Sequence, residues 1–348
     1  MEHLHTYTLD ECWNYSVFGR TTVNRSPLTL FWGGSGIELN VKAKELWVSF
    51  ETDYHDYEQW ISIYINQAFI SRQMLVKGKQ DICIFRHMNP EVTKEVRILK
   101  EVQAMPSDCA HCLQIHSLAT DGDFLPLPEK SMKIEILGDS ITSCEGTIGA
   151  LSEEDWISMI FSASSGYPWI IANKLNADIR VISQSGWGVL SSWDNNPHCN
   201  IPSIYDKICG VAYGDKNQAL GAQQPNDFTS WQPDFIIVNL GTNDGGAFTQ
   251  PAYLDPNTNE VFQQISLSED NFEPTCIKRF ETAIEDFLYQ LRSYNPNSYI
   301  LWCYGMLGIT MKPYILHAIQ SYQLKTNDCK VEFLELVDTT KERNARFP

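Results

Sequence analysis

At Leu125-Pro126-Leu127-Pro128 the hydrophobic pattern of this chain changes period, and each side of that stretch specifies a different kind of fold. Between about Leu28 and Glu101 apolar residues come in short alternating runs: Leu46-Trp47-Val48-Ser49-Phe50, Trp60 to Ile65, Ile82 to Phe85 and Val96 to Leu99. Gly33-Gly34, Asn66-Gln67 and Asn89-Pro90 punctuate them, and no helical period intervenes, which is the pattern of a β-sandwich. Trp32, Trp47 and Trp60 are expected in its core. Beyond Pro128 strand-like and helix-like segments alternate. The strands are Ile134 to Leu137, Ile179 to Ile182, Phe235 to Leu240, Tyr299 to Tyr304 and Val331 to Leu336; the helices fall at 168–175, 276–294 and 313–322. In the longest helix Ile277, Phe280, Ile284, Phe287 and Leu291 recur every three or four residues. Alternation of this kind gives a mostly parallel sheet covered on both faces, a three-layer α/β/α domain. A stiff Pro-containing stretch cannot continue a helix and suits a boundary, so the domains are read as 1–127 and 128–348. The length of 348 residues, above the roughly 250–300 at which one core stops growing, agrees with two domains.

Charge narrows the partners. With 43 acidic against 26 basic residues and a formal net charge of -17, the chain repels phosphate backbones and anionic membranes, so neither nucleic acid nor membrane is expected as a partner. The N-terminus lacks a basic then apolar leader, and no stretch is long enough to span a bilayer. Ten scattered cysteines lack the spacing of a disulfide framework and point to reduced thiols. A cytoplasmic protein is therefore expected. Nothing in the sequence fixes its oligomeric state.

Chemistry is expected where strands end. Gly138-Asp139-Ser140-Ile141-Thr142 follows the strand at 134–137 and reads as a turn into a helix start. A serine there meets free backbone N–H groups, and its own N–H could stabilise an oxyanion. Taken alone, Asp139 or Ser140 serves equally as a helix cap. The strand at 179–182 runs into Ser185-Gly186-Trp187-Gly188, where Gly186 could offer a second N–H and Trp187 an apolar wall, or the segment is an ordinary turn. The strand at 235–240 ends in Gly241-Thr242-Asn243-Asp244, whose Asn243 amide could reach the same sheet edge or organise its own turn. A serine and an amide at neighbouring strand ends suggest acyl transfer.

These blocks resemble the first three of the SGNH, or GDSL, hydrolases, in order and in strand placement. The Gly-x-Ser-x-Gly elbow of the α/β-hydrolases is absent. Within that superfamily the resemblance is closest to carbohydrate esterase family 2, supported by Phe31 to Glu38, Gly166-Tyr167-Pro168, Ser185 to Gly188 and Ile201 to Asp206. It implies a jelly-roll-like β-sandwich ahead of an SGNH domain, with Ser140 as nucleophile and Ser140 N–H, Gly186 N–H and the Asn243 side chain as oxyanion hole. It further implies an acetylated plant polysaccharide or oligosaccharide as substrate, deacetylated through an acetyl-enzyme without metal or organic cofactor. Trp187 is the expected sugar-facing wall.

The family's fourth block carries a histidine after the last strand, whereas Asp338 to Pro348 contains none and is too short and polar for a covering helix. The natural chain is therefore expected to continue past Pro348 and to carry its general base there. Of the histidines present, His317 falls within a helix as a packing or surface residue, and His198 is the internal alternative for the base. Cys109-Ala110-His111-Cys112 with His116 has zinc-compatible spacing but no matching second pair. Asp53, His55, Asp56 and Glu58 read as a solvated loop, calcium being the alternative. Two rival functions stand beside the esterase: a GDSL lipase or acyl hydrolase acting on other esters, and a non-catalytic carbohydrate-binding relative.

Overall fold

The computed structural model describes residues 4–149, 155–268 and 271–339. They fall into two compact units, one within Met1–Ser131, Asp155–Val181 and Lys207–Asn226, the other within Met132–Glu154, Ile182–Asp206 and Asp227–Pro348. Two segments beyond residue 128 thus group with the first unit.

The first unit begins with eleven strands: β1 (His5–Thr8), β2 (Tyr15–Phe18), β3 (Leu28–Leu30), β4 (Gly36–Lys42), β5 (Leu46–Asp53), β6 (Gln59–Ile65), β7 (Ala68–Leu75), β8 (Gly78–Phe85), β9 (Lys94–Lys100), β10 (Cys112–Thr120) and β11 (Asp123–Leu125). One antiparallel sheet has the order β1-β10-β5-β8, with β3 also on β10; the other has the order β11-β4-β9-β6-β7, with β2 also on β4. Along β5 burial alternates strictly. Leu46, Val48 and Phe50 point inward with Ile37, Leu39, Ile61, Ile63, Val96, Ile98, Leu113 and Ile115 to form one apolar core. Trp47 departs from the core expectation, occupying the outward phase of β5 and half-buried beneath the Arg86 guanidinium at 5.9 Å; Trp60, on the outward phase of β6, packs instead against a second apolar cluster of Val102, Met105, Ile160 and Phe161, with the Arg72 guanidinium over its ring at 4.0 Å. Trp32 is buried, donating from Nε1 to the Ile208 carbonyl at 2.8 Å.

After the sandwich come β12 (Met132–Gly138), α1 (Tyr167–Leu175), β13 (Ala177–Ser183), α2 (Asp215–Ala219), β14 (Phe235–Asn239) and α3 (Thr242–Ala247). Two hairpins follow, β15 (Tyr253–Leu254) with β16 (Val261–Phe262) and β17 (Ser266–Ser268) with β18 (Asn271–Phe272), then α4 (Pro274–Tyr294), β19 (Tyr299–Tyr304), α5 (Lys312–Thr326) and β20 (Val331–Glu335). The main sheet has the order β13-β12-β14-β19-β20. The pairs β12/β14, β14/β19 and β19/β20 are parallel, with Gly138 opposite Asn239 and Asn239 opposite Cys303. Burial is continuous from Ile134 to Gly138 because both faces of that strand are covered. The order is that of a doubly wound sheet, and its switch point lies between β12 and β14. Connections run opposite ways from these two strands, the arrangement at which open α/β sheets place their ligands.

The elements that support this sheet are firmly seated. Glu273 caps α4 by accepting the Cys276 N–H at 2.9 Å, and Pro274 fits the first turn, where no N–H is needed. Phe280, Ile284, Phe287 and Leu291 are fully buried on its inner face, and Phe287 meets Tyr205 and Trp302 edge-on at 5.9 and 6.4 Å. The buried Glu135 of β12 is satisfied by the Tyr205 hydroxyl at 2.6 Å, which in turn accepts from the Asn295 amide at 2.8 Å.

Candidate functional site

Three loops leave the carboxyl ends of β12, β13 and β14. The first turns at Gly138, where a Cβ would come within 1.9 Å of Thr142 Oγ1, so only glycine lets the chain fold back this tightly. The helix expected to start at Ser140 does not form. Residues 140–146 are successive turns, interrupted by positive φ at Cys144 (60°) and Gly146 (69°), so Ser140 gains no helix dipole. Asp139, 1% exposed, accepts the Ile141 N–H on Oδ1 at 3.0 Å, and Ser143 Oγ donates to Ser183 Oγ at 2.9 Å, tying this loop to the end of β13.

The second loop carries Gly186 at φ +80°, a conformation that favours glycine. The third carries Asn243 in the first turn of the short α3. The Asn243 side chain joins all three, because Nδ2 donates to the Trp187 carbonyl at 3.1 Å and to Asp139 Oδ2 at 3.3 Å. The loops that carry Ser140, Gly186 and Asn243 are therefore joined at the switch point, Asn243 touching the residue before Ser140 and the residue after Gly186. Asp244 fixes the second loop from below. Its fully buried carboxylate accepts the N–H groups of Val189 (2.9 Å), Leu190 (2.8 Å) and Ser191 (3.3 Å). Burial pushes the Asp139 carboxyl up to about 7, and the charge of Asp244 adds to the effect despite the Ile141 N–H. Burial likewise pushes Asp244 up to about 6 against its three N–H donors.

Trp187 does not form the expected wall. It is 5% exposed, and its backbone bridges to Ser192, leaving a ligand little of the ring. The exposed indole nearby is Trp193, 50% accessible, which donates its backbone N–H to the Gly186 carbonyl at 2.9 Å. Its signal in the sequence was a large apolar residue set among turn formers, Ser191-Ser192 before it and Asp194-Asn195-Asn196-Pro197 after.

Among the described residues, no hydrogen bond joins Ser140 to a histidine. His198 is bound to Asp255 at 2.6 Å, and His317 on α5 to Glu281 on α4 at 2.7 Å. The segment after the last strand, 338–348, contains no histidine, and 340–348 of it lie outside the described residues. No group of three or more His, Cys, Asp or Glu able to hold a metal occurs among the described residues. His111 is buried, and Asp53 is paired with Lys77 (2.8 Å) and Lys216 (2.7 Å).

No protein-family model matches the chain. It is 42% identical to the solved structure of an acetyl xylan esterase, Est2A, from Butyrivibrio proteoclasticus, with a TM-score of 0.96, covering 97% of this chain and 91% of that one. A family two carbohydrate esterase from Cellvibrio japonicus shares the fold at a TM-score of 0.78 and 20% identity, over 99% of this chain and 92% of that one. An acetylxylan esterase / glucomannan deacetylase of Cellvibrio japonicus is 27% identical over 248 residues, 70% of this chain. The chain spans between 33% and 64% of the length of the curated relatives it matches.

Proposed function

Because this chain belongs to carbohydrate esterase family 2, we propose that it is a serine esterase that removes O-acetyl groups from carbohydrates, with acetylated xylan and mannan oligosaccharides as its substrate class. One observation carries the reading: the loops bearing a serine, a positive-φ glycine and an asparagine are joined by the asparagine amide at the switch point of a doubly wound sheet. Ser140 Oγ attacks the acetyl carbonyl carbon. The carbonyl oxygen becomes an oxyanion that takes hydrogen bonds from Ser140 N–H, Gly186 N–H and the Asn243 amide. Collapse breaks the bond to the sugar oxygen, which leaves as the alcohol with a proton, and water then releases acetate from the acetyl-serine. The family resemblance assigns the proton transfers to a histidine after the last strand. His198, engaged with Asp255 through Nε2, is a surface pair in this reading.

The test is acetate release from acetylated xylo- and manno-oligosaccharides by the protein and by Ser140→Ala. Release abolished by Ser140→Ala is the expected result. Binding of the acetylated sugar without release would instead leave a carbohydrate-binding relative, and preference for long-chain esters would make it a different acyl hydrolase.

A further inference from the structure

One fully buried amide in the second unit has no part in the steps above. Gln264 lies between β16 and β17, on the connection from α3 to α4, and is shut off from solvent. Its backbone N–H donates to Asn195 Oδ1 at 2.9 Å, and its side-chain Nε2 donates to two acceptors at once, Ser191 Oγ at 3.3 Å and the Asp244 carbonyl at 3.2 Å. A carbonyl can only accept, so the contact with Asp244 fixes which end of the amide is nitrogen. Oε1 is left buried with no hydrogen-bond partner among the described residues. A buried acceptor left unpaired is unfavourable for folding. What holds the amide in this arrangement is the pair of contacts at its nitrogen.

Those two contacts reach the two loops that carry the assigned oxyanion donors. Ser191 belongs to the loop of Gly186: its carbonyl accepts the Gly188 N–H at 2.9 Å, and its own N–H rests on the Asp244 carboxylate at 3.3 Å. Asp244 directly follows Asn243 in α3. A single nitrogen therefore ties the loop of the Gly186 N–H to the turn of the Asn243 amide. Asn195 adds a second tie, donating from Nδ2 to the carbonyls of Ala247 (2.9 Å), Pro251 (3.0 Å) and Gln250 (3.3 Å) at the end of α3 and just beyond it. The segment of Gln264 has its own anchorage on α4. The Gln263 carbonyl accepts from Arg279 Nη2 at 2.7 Å, and the Arg279 guanidinium lies over the Phe262 ring at 4.7 Å. Oxyanion donors from separate loops act only where they meet one oxygen together, and a misplacement of about 1 Å can cost about 10² in rate.

We propose that Gln264 is a positioning residue of the esterase reaction, its side-chain amide setting the spacing between the Gly186 N–H and the Asn243 amide through Ser191 and Asp244. This rests on the esterase reading and deepens it, since Gln264 acts through the loops it joins and takes no part in bond making. Its loss is felt where negative charge develops on the acetyl oxygen, and therefore in the transition state more than in substrate binding.

The experiment compares kcat and KM for acetate release from acetylated xylo-oligosaccharide and from an aryl acetate, which shares the acetyl group and lacks the sugar. Gln264→Met keeps the side chain's length and deletes its donor. It should lower kcat at least about tenfold on both esters, with KM changed less than about twofold. Ser191→Ala should lower kcat by a smaller factor, and the double variant should be no slower than Gln264→Met, because both substitutions break one tie. Arg279→Met loosens the same segment from α4 without touching either loop, so it should lower Tm and leave kcat within about twofold. A kcat for Gln264→Met within about threefold of the parent, a loss confined to KM or to the sugar ester, additive losses in the double variant, or an equal fall in kcat from Arg279→Met would each overturn the positioning role. Where Gln264→Met does not fold, Ser191→Ala carries the test, unchanged kcat being the overturning result. No acetate release from either ester by the parent protein would sink the esterase reading and this role together, whereas release by the parent with kcat unaltered in Gln264→Met would sink this role alone.

Discussion

Asn243 has two amide hydrogens, and in the resting site one faces the Trp187 carbonyl and the other Asp139 Oδ2. The longer contact, 3.3 Å to Asp139, is the one most easily given up when negative charge develops on a bound acetyl oxygen. Removing such a donor typically costs about 10²–10³ in kcat. Asn243→Ala is therefore expected to cut kcat for acetylated xylo-oligosaccharide by that factor with KM changed little, as read from initial rates. A loss under about threefold would remove Asn243 from the oxyanion hole. The residue scale also shows what the sequence could and could not reveal. That the loops of Ser140, Gly186 and Asn243 would share one edge was legible because each follows an apolar strand, and strand ends share an edge. The orientation of Trp187 and Trp193 was not legible, since it depends on contacts with residues about fifty positions away, the Asn243 amide on the Trp187 carbonyl and the Asn195 amide on the Ala247 carbonyl.

Among the elements, α4 was the most readable because its inner face is set by a local period of 3.6. The structure extends it two residues upstream, to Pro274, for a reason equally local: Glu273 supplies the cap. The failed helix after Ser140 marks the opposite case, a segment whose left-handed Cys144 is imposed by the surrounding loop and not by propensity. The inward phase of β5 was ambiguous from alternation alone, though the partners of Trp47 on its own face, Ser49 and Glu51, are polar and mark that face as the outer one. Phe287 shows how an element supports the site. It packs on Trp302, whose Nε1 donates to the Leu240 carbonyl at 3.2 Å, immediately before the Gly241-Thr242-Asn243 turn. Phe287→Ala should cost about 3–5 kcal/mol, which at about 2–4 °C per kcal/mol is a fall in Tm of roughly 10 °C. The half-buried Ile277→Ala on the same helix should lose clearly less. Equal losses from the two substitutions in thermal melts would show that the Phe287 contact does not anchor the sheet.

At the scale of the whole molecule, the buried titratable groups divide between the two units with opposite signs. In the first unit burial lowers Lys100 to about 7, where its ammonium donates to the Val102 and Gln103 carbonyls, and burial with the nearby Lys100 lowers His111 well below its usual range. Their stabilising contributions are lost as pH falls, for Lys100 as pH drops from above 10 through about 7 and for His111 below about 6.5. In the second unit Asp139 and Asp244 are raised to about 7 and about 6, so their contributions are present in full below about pH 4 and are lost as pH rises through those values. Carboxylates held low, such as Asp53 at about 2, titrate below this window and do not act between pH 5 and 8. Each unmatched proton changes stability by about 1.4 kcal/mol per pH unit. Acidifying from pH 8 to pH 5 is therefore expected to weaken the first unit and strengthen the second. Hydrogen exchange corrected for intrinsic rates reads the two separately: protection should fall at core amides such as Ile98 and Ile115 and rise at Ile136 and Val238. A shift of the same sign in both units would mean that these buried groups do not set the acid response, and that the overall negative charge, relieved equally everywhere by protonation, governs it instead.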